Sequence, residues 1–267
     1  MERSRLKNII ILILVLVNLF LLGSLLLHRT EERAARTRMA QELTTLFAAD
    51  GVTLDSSCIR SDAPPAGKVL ARDSSAEAGM AALLLGENPT FSDEGGGIYT
   101  YCSDSGQAIF RSGGSFDITG RLISGDAETI CRNFCKTYGY EDLSLSFSNG
   151  SGTATATQHY NGYPVRNASV TFLEEKGSLI SVSGTHVPSA YSSEDTSASM
   201  TAPTALTKFL DARRKTGAVV SAVTDVYLCY ELQSTNAAPL TLVPAWCIVT
   251  NTVNYYVNCS TGAVTHN

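Results

Sequence analysis

Seven cysteines, four histidines and a few adjacent acids are the residues of this chain that could do chemistry. Cys131 and Cys135 stand four apart, which on a helix puts both thiols on one face, as two metal ligands would need. Two ligands do not make a structural zinc site, which takes four. Both cysteines also share a stripe with Ile130 and Phe134, so they read as small apolar core residues. Cys58, Cys102, Cys229, Cys247 and Cys259 form no C-x-x-C spacing, and an odd total cannot pair completely within one chain. The set reads as free or occasionally paired structural thiols. A cysteine nucleophile needs a lowered pKa and a neighbouring base. The sequence shows neither.

The histidines are scattered. His28 flanks an apolar run, His159 precedes the turn Asn161-Gly162, His186 precedes Val187-Pro188, and His266 is next to last. No H-E-x-x-H, G-x-S-x-G or phosphate-cradling loop is present. Gly95-Gly96-Gly97 lacks the following Lys-Ser/Thr and reads as a plain loop. Glu174 and Glu175 precede Lys176-Gly177 and read as a solvated hairpin turn. Trp246, the one tryptophan, follows Pro244-Ala245 in an apolar strand and reads as a core or interface anchor. No catalytic residue, cofactor site or metal site is assigned, and the expectation is a protein that is not an enzyme.

Such a protein works by where it is held. Ile9 to Leu27 reads IIILILVLVNLFLLGSLLL, nineteen residues without a charge. A bilayer core about 30 Å thick is crossed by about 20 apolar residues in a helix. The run is longer than the apolar stretch of a signal peptide, and Leu27-His28-Arg29 is a poor cleavage site. It reads as a retained single-pass anchor. Asn18 is its one amide, and amides in membrane helices bond across to other helices. Asn18, with Gly23 and Ser24 permitting close approach, is therefore the expected helix–helix contact. Arg3, Arg5 and Lys7 before the run are nearly balanced by four arginines after it, so charge alone does not orient it. A short tail, an anchor and one large polar domain is the layout of a signal anchor with an exported C-terminus.

Charge separates the same parts. The 267-residue chain carries a net charge of −5, but residues 1–38 hold seven Lys/Arg against three Asp/Glu. The remainder is acidic, which excludes an electrostatic footprint for nucleic acid.

The anchor is followed by amphipathic pieces. Ala35, Met39, Leu43, Leu46 and Phe47 make one helical face over residues 31–50. That helix sets the distance from bilayer to domain, pairs with another anchored protein, or docks on its own domain. Residues 52–72 read as irregular, and Ser74 with Glu77 has the spacing of a capping box. A pattern then recurs three times: a helix, then strands including a hairpin whose polar turn ends in Gly106, Gly177 or Gly262. The helices are stopped by Gly86, Gly139 and Gly217, and Thr201 with Pro203 opens the third. Strands such as Thr153–Tyr160 alternate polar and apolar residues, the signature of a sheet covered on one side. The fold class is α+β: an N-terminal transmembrane helix followed by repeated helix-on-antiparallel-sheet units. The division is a tail at 1–8, anchor at 9–27, juxtamembrane helix at 28–50, units at 51–122, 123–190 and 201–267, and a Ser/Thr-rich linker at 191–200.

The start, Arg5-Leu6-Lys7-Asn8-Ile9 running to Asn18-Leu19-Phe20, resembles the anchor of the YycI/YycH-like regulatory proteins of Gram-positive bacteria. The stretches Leu242-Val243-Pro244-Ala245-Trp246, Tyr255-Tyr256-Val257-Asn258 and Thr261-Gly262-Ala263-Val264 are similar too. Tyr160-Asn161-Gly162-Tyr163-Pro164-Val165 and the hairpin after it resemble PepSY-like units. The resemblance implies a single-pass protein of the cell membrane, N-terminus cytoplasmic and domain extracellular. It implies a regulator of a cell-wall sensor histidine kinase of a two-component system, acting through its membrane helix and its domain. A YycH-like sister protein is a further candidate partner. The alternative expectation is a PepSY-like inhibitory, chaperone or peptide-binding module for an exported peptidase, using sheet edges.

Overall fold

The computed structural model describes residues 2–266 except 124, 190, 197, 198, 236 and 237. Within its helices and strands the side chains of residues 2–12, 25–29, 32, 191–196, 235, 238 and 239 lie outside the description. The chain opens with a single helix, α1 (Glu2–Ala49), and Gly51 takes the left-handed turn just past it at φ 72°. The apolar run and the helix expected at residues 28–50 are thus one element. No proline interrupts residues 2–49, so nothing in the sequence forces a break.

The stretch expected to be irregular contains two short strands, β1 (Thr53–Leu54) and β2 (Gly67–Leu70), with a 3-10 turn at Ser56–Cys58 between them. Two helix-plus-meander segments follow. Helix α2 (Ser74–Leu85) leads into β3 (Thr90–Gly95), β4 (Ile98–Ser103), β5 (Gly106–Arg111) and β6 (Ser115–Gly120). Helix α3 (Ala127–Tyr138) leads into β7 (Tyr140–Ser148), β8 (Ser151–Tyr160), β9 (Tyr163–Glu175) and β10 (Ser178–Thr185). Their last strands pair, Val182 opposite Ile118. One antiparallel sheet results, in the order β7-β8-β9-β10-β6-β5-β4-β3. The expected linker carries a strand, β11 (Tyr191–Thr196), paired with β2. Helix α4 (Ala202–Thr216) then leads into a third meander: β12 (Ala222–Thr235), β13 (Ala238–Thr250), β14 (Asn254–Asn258) and β15 (Val264–His266).

Caps and turns follow local chemistry, with two departures from expectation. Asp126 caps α3 through Thr129 N, and Gly139 ends it in the left-handed region. The cap of α2 is Asp73, not Ser74: its carboxylate accepts from Ala76 N at 3.0 Å. Glu77, freed from capping, lies buried against Arg72, whose Nε donates to it at 2.9 Å. Burial raises the Glu77 carboxyl above its usual range, and the pairing with Arg72 offsets only part of that. The hairpin turn at Glu174-Glu175 is also tighter than expected. Lys176 and Gly177 both have positive φ, 53° and 77°, and Glu175 pairs with Ser178 across them. A two-residue turn of this kind matches strand twist, so the strands run on and Glu174 is buried rather than solvated.

Helices α2 and α3 cover one face of the eight-stranded sheet over Phe116, Phe134, Phe172 and their neighbours. The other face is a field of hydroxyls. One register row reads Ser144, Thr155, Thr171, Ser183, Asp117, Ile109, Thr100, Ser92 from edge to edge. The C-terminal sheet differs. Trp246, Ile248 and Phe209 pack on its α4 side, and Cys229, Ala245, Cys247 and Tyr256 form a second small core on the opposite side.

Strand β9 belongs to both sheets. It pairs with β8 from Tyr163 onward and with β10 in its later part, while Val165 near its start pairs with Tyr230 of β12 in parallel. The Asn167 amide extends that contact, donating to Leu232 O at 2.6 Å and accepting from Leu232 N at 2.8 Å.

Candidate functional site: the seat of the N-terminal helix

Helix α1 ends inside the C-terminal core. Leu43 and Phe47 sit one turn apart on its buried stripe, and Phe47 stacks on Phe209 of α4 with ring centroids 6.2 Å apart. Phe209 in turn meets Tyr255 edge-on at 4.8 Å. At the last turn Arg214 Nε donates to Asp50 at 2.7 Å. That hydrogen bond holds the Asp50 carboxyl below its usual range. Of the three roles open to residues 31–50, the structure shows docking on the protein's own domain. The other side of the stripe stays open: Met39 and Leu46 are exposed beside a groove of about 530 Å³ between α1 and α4.

Trp246 is fully buried in this same core, and its indole N–H donates to Met200 O at 2.9 Å. It is a core residue that ties β13 to the approach of α4. Asn18 is exposed on α1, and the helix does not gather it with Gly23 and Ser24. At about 100° per residue, Gly23 lies roughly 140° around from Asn18 and Ser24 roughly 120° the other way. A Cβ on Gly23 would meet nothing within 4 Å. The residues in line with Asn18 are instead Leu43 and Phe47, each within about 20° of it by the same count. Part of the expected anchor, the side chains of residues 9–12 and 25–27, lies outside the described residues. Among the described residues, no helix is long and apolar enough to cross a membrane.

A second feature lies where the two sheets meet. A cleft of about 640 Å³ is bounded by Lys68 of β2, the end of α3, His159 and Ser189. Its wall is a polar lock that sequence inspection missed. Gln158 Oε1 accepts from Val187 N at 2.6 Å, and its amide N–H group faces Tyr138 O, His186 Nδ1 and Val187 O at 3.0, 3.1 and 3.2 Å. An amide donor against Nδ1 calls for the neutral imidazole with its proton on Nε2. Burial agrees, holding the His186 pKa down to about 4. Asp73, whose carboxylate also accepts from Ser189 Oγ at 3.2 Å, pulls the other way. The only prior signal for this lock was a histidine placed before Val187-Pro188.

The cysteines gather no chemistry. Six are buried, Cys102 is exposed, and all seven are free. Burial pushes the Cys131 thiol up to about 12 and Cys135 to about 11, which disfavours the thiolate that a nucleophile or ligand requires. Among the described residues no three His, Cys, Asp or Glu side chains gather as a metal site.

Residues 38–260 match the family model described as YycI protein. The chain belongs to the YycI family. That family acts in regulation of a two-component system, in a complex with a histidine kinase. The matched span starts in the docked part of α1 and ends after Cys259, so it takes in both sheets. Among solved structures, an uncharacterized protein from Eubacterium rectale is similar at 10% identity and TM-score 0.41, over 80% of this chain and 85% of that one. The C-terminal domain of Bacillus megaterium YpeB is similar at 13% identity and TM-score 0.36, over 74% of this chain and 98% of that one. No curated protein matches the chain.

Proposed function

We propose that this YycI-family protein is a single-pass membrane protein, N-terminus in the cytoplasm and both sheets outside. It regulates a cell-wall sensor histidine kinase without catalysis of its own. The observation that carries the reading is α1, unbroken from the apolar run to the C-terminal core. Its large apolar side chains between Ile13 and Leu22 are 49–75% exposed all round the helix. A helix apolar on every side is stable only in lipid or inside a larger core. Physically, a regulator of this kind shifts a kinase between signalling states by binding one state better. A rigid helix seated in the domain couples what happens in the bilayer to what the domain touches. The three helix-plus-meander segments support PepSY-like repeats as the building unit, and a YycH-like sister protein is a second proposed partner.

Exchanging residues 9–27 for an unrelated apolar span of equal length tests this. Kinase association and signalling output should drop while the protein stays in the membrane. Unchanged association and output would reject the contact through the helix. Release of the intact chain by carbonate washing would reject the anchor.

A further inference from the structure

The eight-stranded sheet ends in two open edges, β3 and β7, and they are built differently. An unpaired edge is a template for another strand, and proteins blunt it with charge, bulges or shortness. Strand β3 is blunted in its second half, where Asp93 and Glu94 sit at a register shift before Gly95. Strand β7 carries its acids, Glu141 and Asp142, and its register shift at its start. From there it reads Leu143-Ser144-Leu145-Ser146-Phe147-Ser148, with no charge, glycine or proline. An uncharged, alternating segment of this length stacks on its own copies when its edge is open. The pairing with β8 fixes what that edge offers. Ser148 faces Ser151 across the turn Asn149-Gly150, whose φ values are both positive, 53° and 72°. A two-residue turn of this kind is closed by a hydrogen-bonded pair, and bonded and non-bonded pairs then alternate along the ladder. Ser144, Ser146 and Ser148 therefore bond inward to β8, and Leu145 and Phe147 direct their N–H and C=O groups out of the sheet. The side chains of Leu143, Leu145 and Phe147 lie on the helix-covered face and are only half-buried. The three serines stand exposed on the hydroxyl face.

We infer, independently of the anchor and kinase reading, that β7 pairs with β7 of a second copy of this chain. The two strands run antiparallel about a two-fold axis at Leu145 and join two eight-stranded sheets into one. In that register Leu145 faces its own counterpart, each N–H donating to the other's C=O. Leu143 faces Phe147 and Ser144 faces Ser146, in both directions. Apolar side chains then meet on the helix side and hydroxyls meet on the other. A slip of one residue would set outward-pointing backbone groups against inward-pointing ones and reverse the faces. The strand ends match as well. Glu141 and Asp142 are 63% and 74% exposed and hold His159 between them, each at 3.2 Å. The other end of β7 lies against the β9–β10 turn, where Gly177 N donates to Gly150 O at 2.7 Å. Lys176 is exposed at the tip of that turn, with Glu175 just before it on the hydroxyl face. Antiparallel pairing brings the acidic end of one copy to the lysine end of the other, whereas parallel pairing would set acid against acid.

The test uses the full-length chain in detergent solution. Light scattering should show a dimer, and Ser144→Lys with Ser146→Lys should convert it to a monomer by setting like charges opposite each other. Both serines are exposed, so protease resistance should stay that of the unaltered chain. Ser144→Lys with Ser146→Glu sets each lysine opposite a glutamate of the other copy and should restore the dimer. The contact itself is read by disulfide crosslinking with copper phenanthroline, after Cys102→Ser removes the exposed thiol. Leu145→Cys should give an adduct of twice the chain's mass, and Ser92→Cys on β3 at least about tenfold less, a difference of about 1.4 kcal/mol in effective pairing. A chain that stays monomeric at every concentration overturns the inference and leaves the edge for a strand of a different protein. Equal adducts from positions 145 and 92, or a dimer indifferent to the lysine pair, overturn it in favour of another contact surface. A Lys–Glu chain no more dimeric than the Lys–Lys chain overturns the register centred on Leu145.

Discussion

The two sheets solve the same problem in opposite ways. The eight-stranded sheet buries one face under α2 and α3 and leaves the other as rows of serine and threonine. The C-terminal sheet is apolar on both faces, with α4 and α1 on one side and the cysteine–tyrosine cluster on the other. There the Arg166 guanidinium lies 3.9 Å over the Tyr256 ring and also meets Glu231 at 3.5 Å. The first sheet is complete with its own helices. The second needs α1 to finish its core, so the end of the chain's first helix is a structural part of the lobe built from its last residues.

The largest test of that contrast is to hollow each core in turn. Phe134→Ala and Trp246→Ala each remove a fully buried ring and should cost about 3–5 kcal/mol in denaturant unfolding. Because β9 is shared, Phe134→Ala should also lower the unfolding midpoint reported by Trp246 fluorescence. An unmoved Trp246 midpoint would show that the sheets unfold independently. Next in size is the junction. The folded pKa of His186, about 4, lies below its ordinary 6.5, so its contribution is complete above pH 6.5 and is lost as pH falls toward 4. The loss should reach about 3 kcal/mol, and His186→Gln should flatten that pH dependence in equilibrium unfolding.

Smaller effects compare the outer faces directly. Cys229→Ser puts a hydroxyl into the buried cluster and should destabilise by about 1–3 kcal/mol. Thr155→Val on the hydroxyl field should change stability by less than about 0.5 kcal/mol. If the two substitutions cost the same, the faces are not different in kind. Maleimide labelling of the native protein gives the same comparison in chemical form: Cys102 should react at once, and the six buried thiols only on denaturation.

What could be read in advance was whatever is encoded within one turn or one hairpin. The stripes of α3 and α4, their glycine ends and the turn before Gly106 each depend on residues close in sequence. Strands β2, β3 and β11 could not be found that way. They are short or polar, and β2 is a strand because Leu240 and Leu242 lie opposite it. Asp73 displaced Ser74 as a cap because a carboxylate one residue earlier reached Ala76 N, and Glu77 then had Arg72 as its partner. The Gln158–His186 lock joins positions 28 apart with no local pattern to announce it. Trp246 was legible as an anchor residue, but not whether it served a core or an interface.

The double membership of β9 leaves the molecule without a free hinge. A loop between two bodies lets them swing at little cost, but here the connection is one continuous strand, bridged to β12 at Val165–Tyr230 and by the Asn167 amide. One sheet can turn against the other only by winding that strand about its own length. It behaves as a torsion bar, so a twist applied at the α1 end should arrive at the far sheet as a rotation, attenuated but not decoupled.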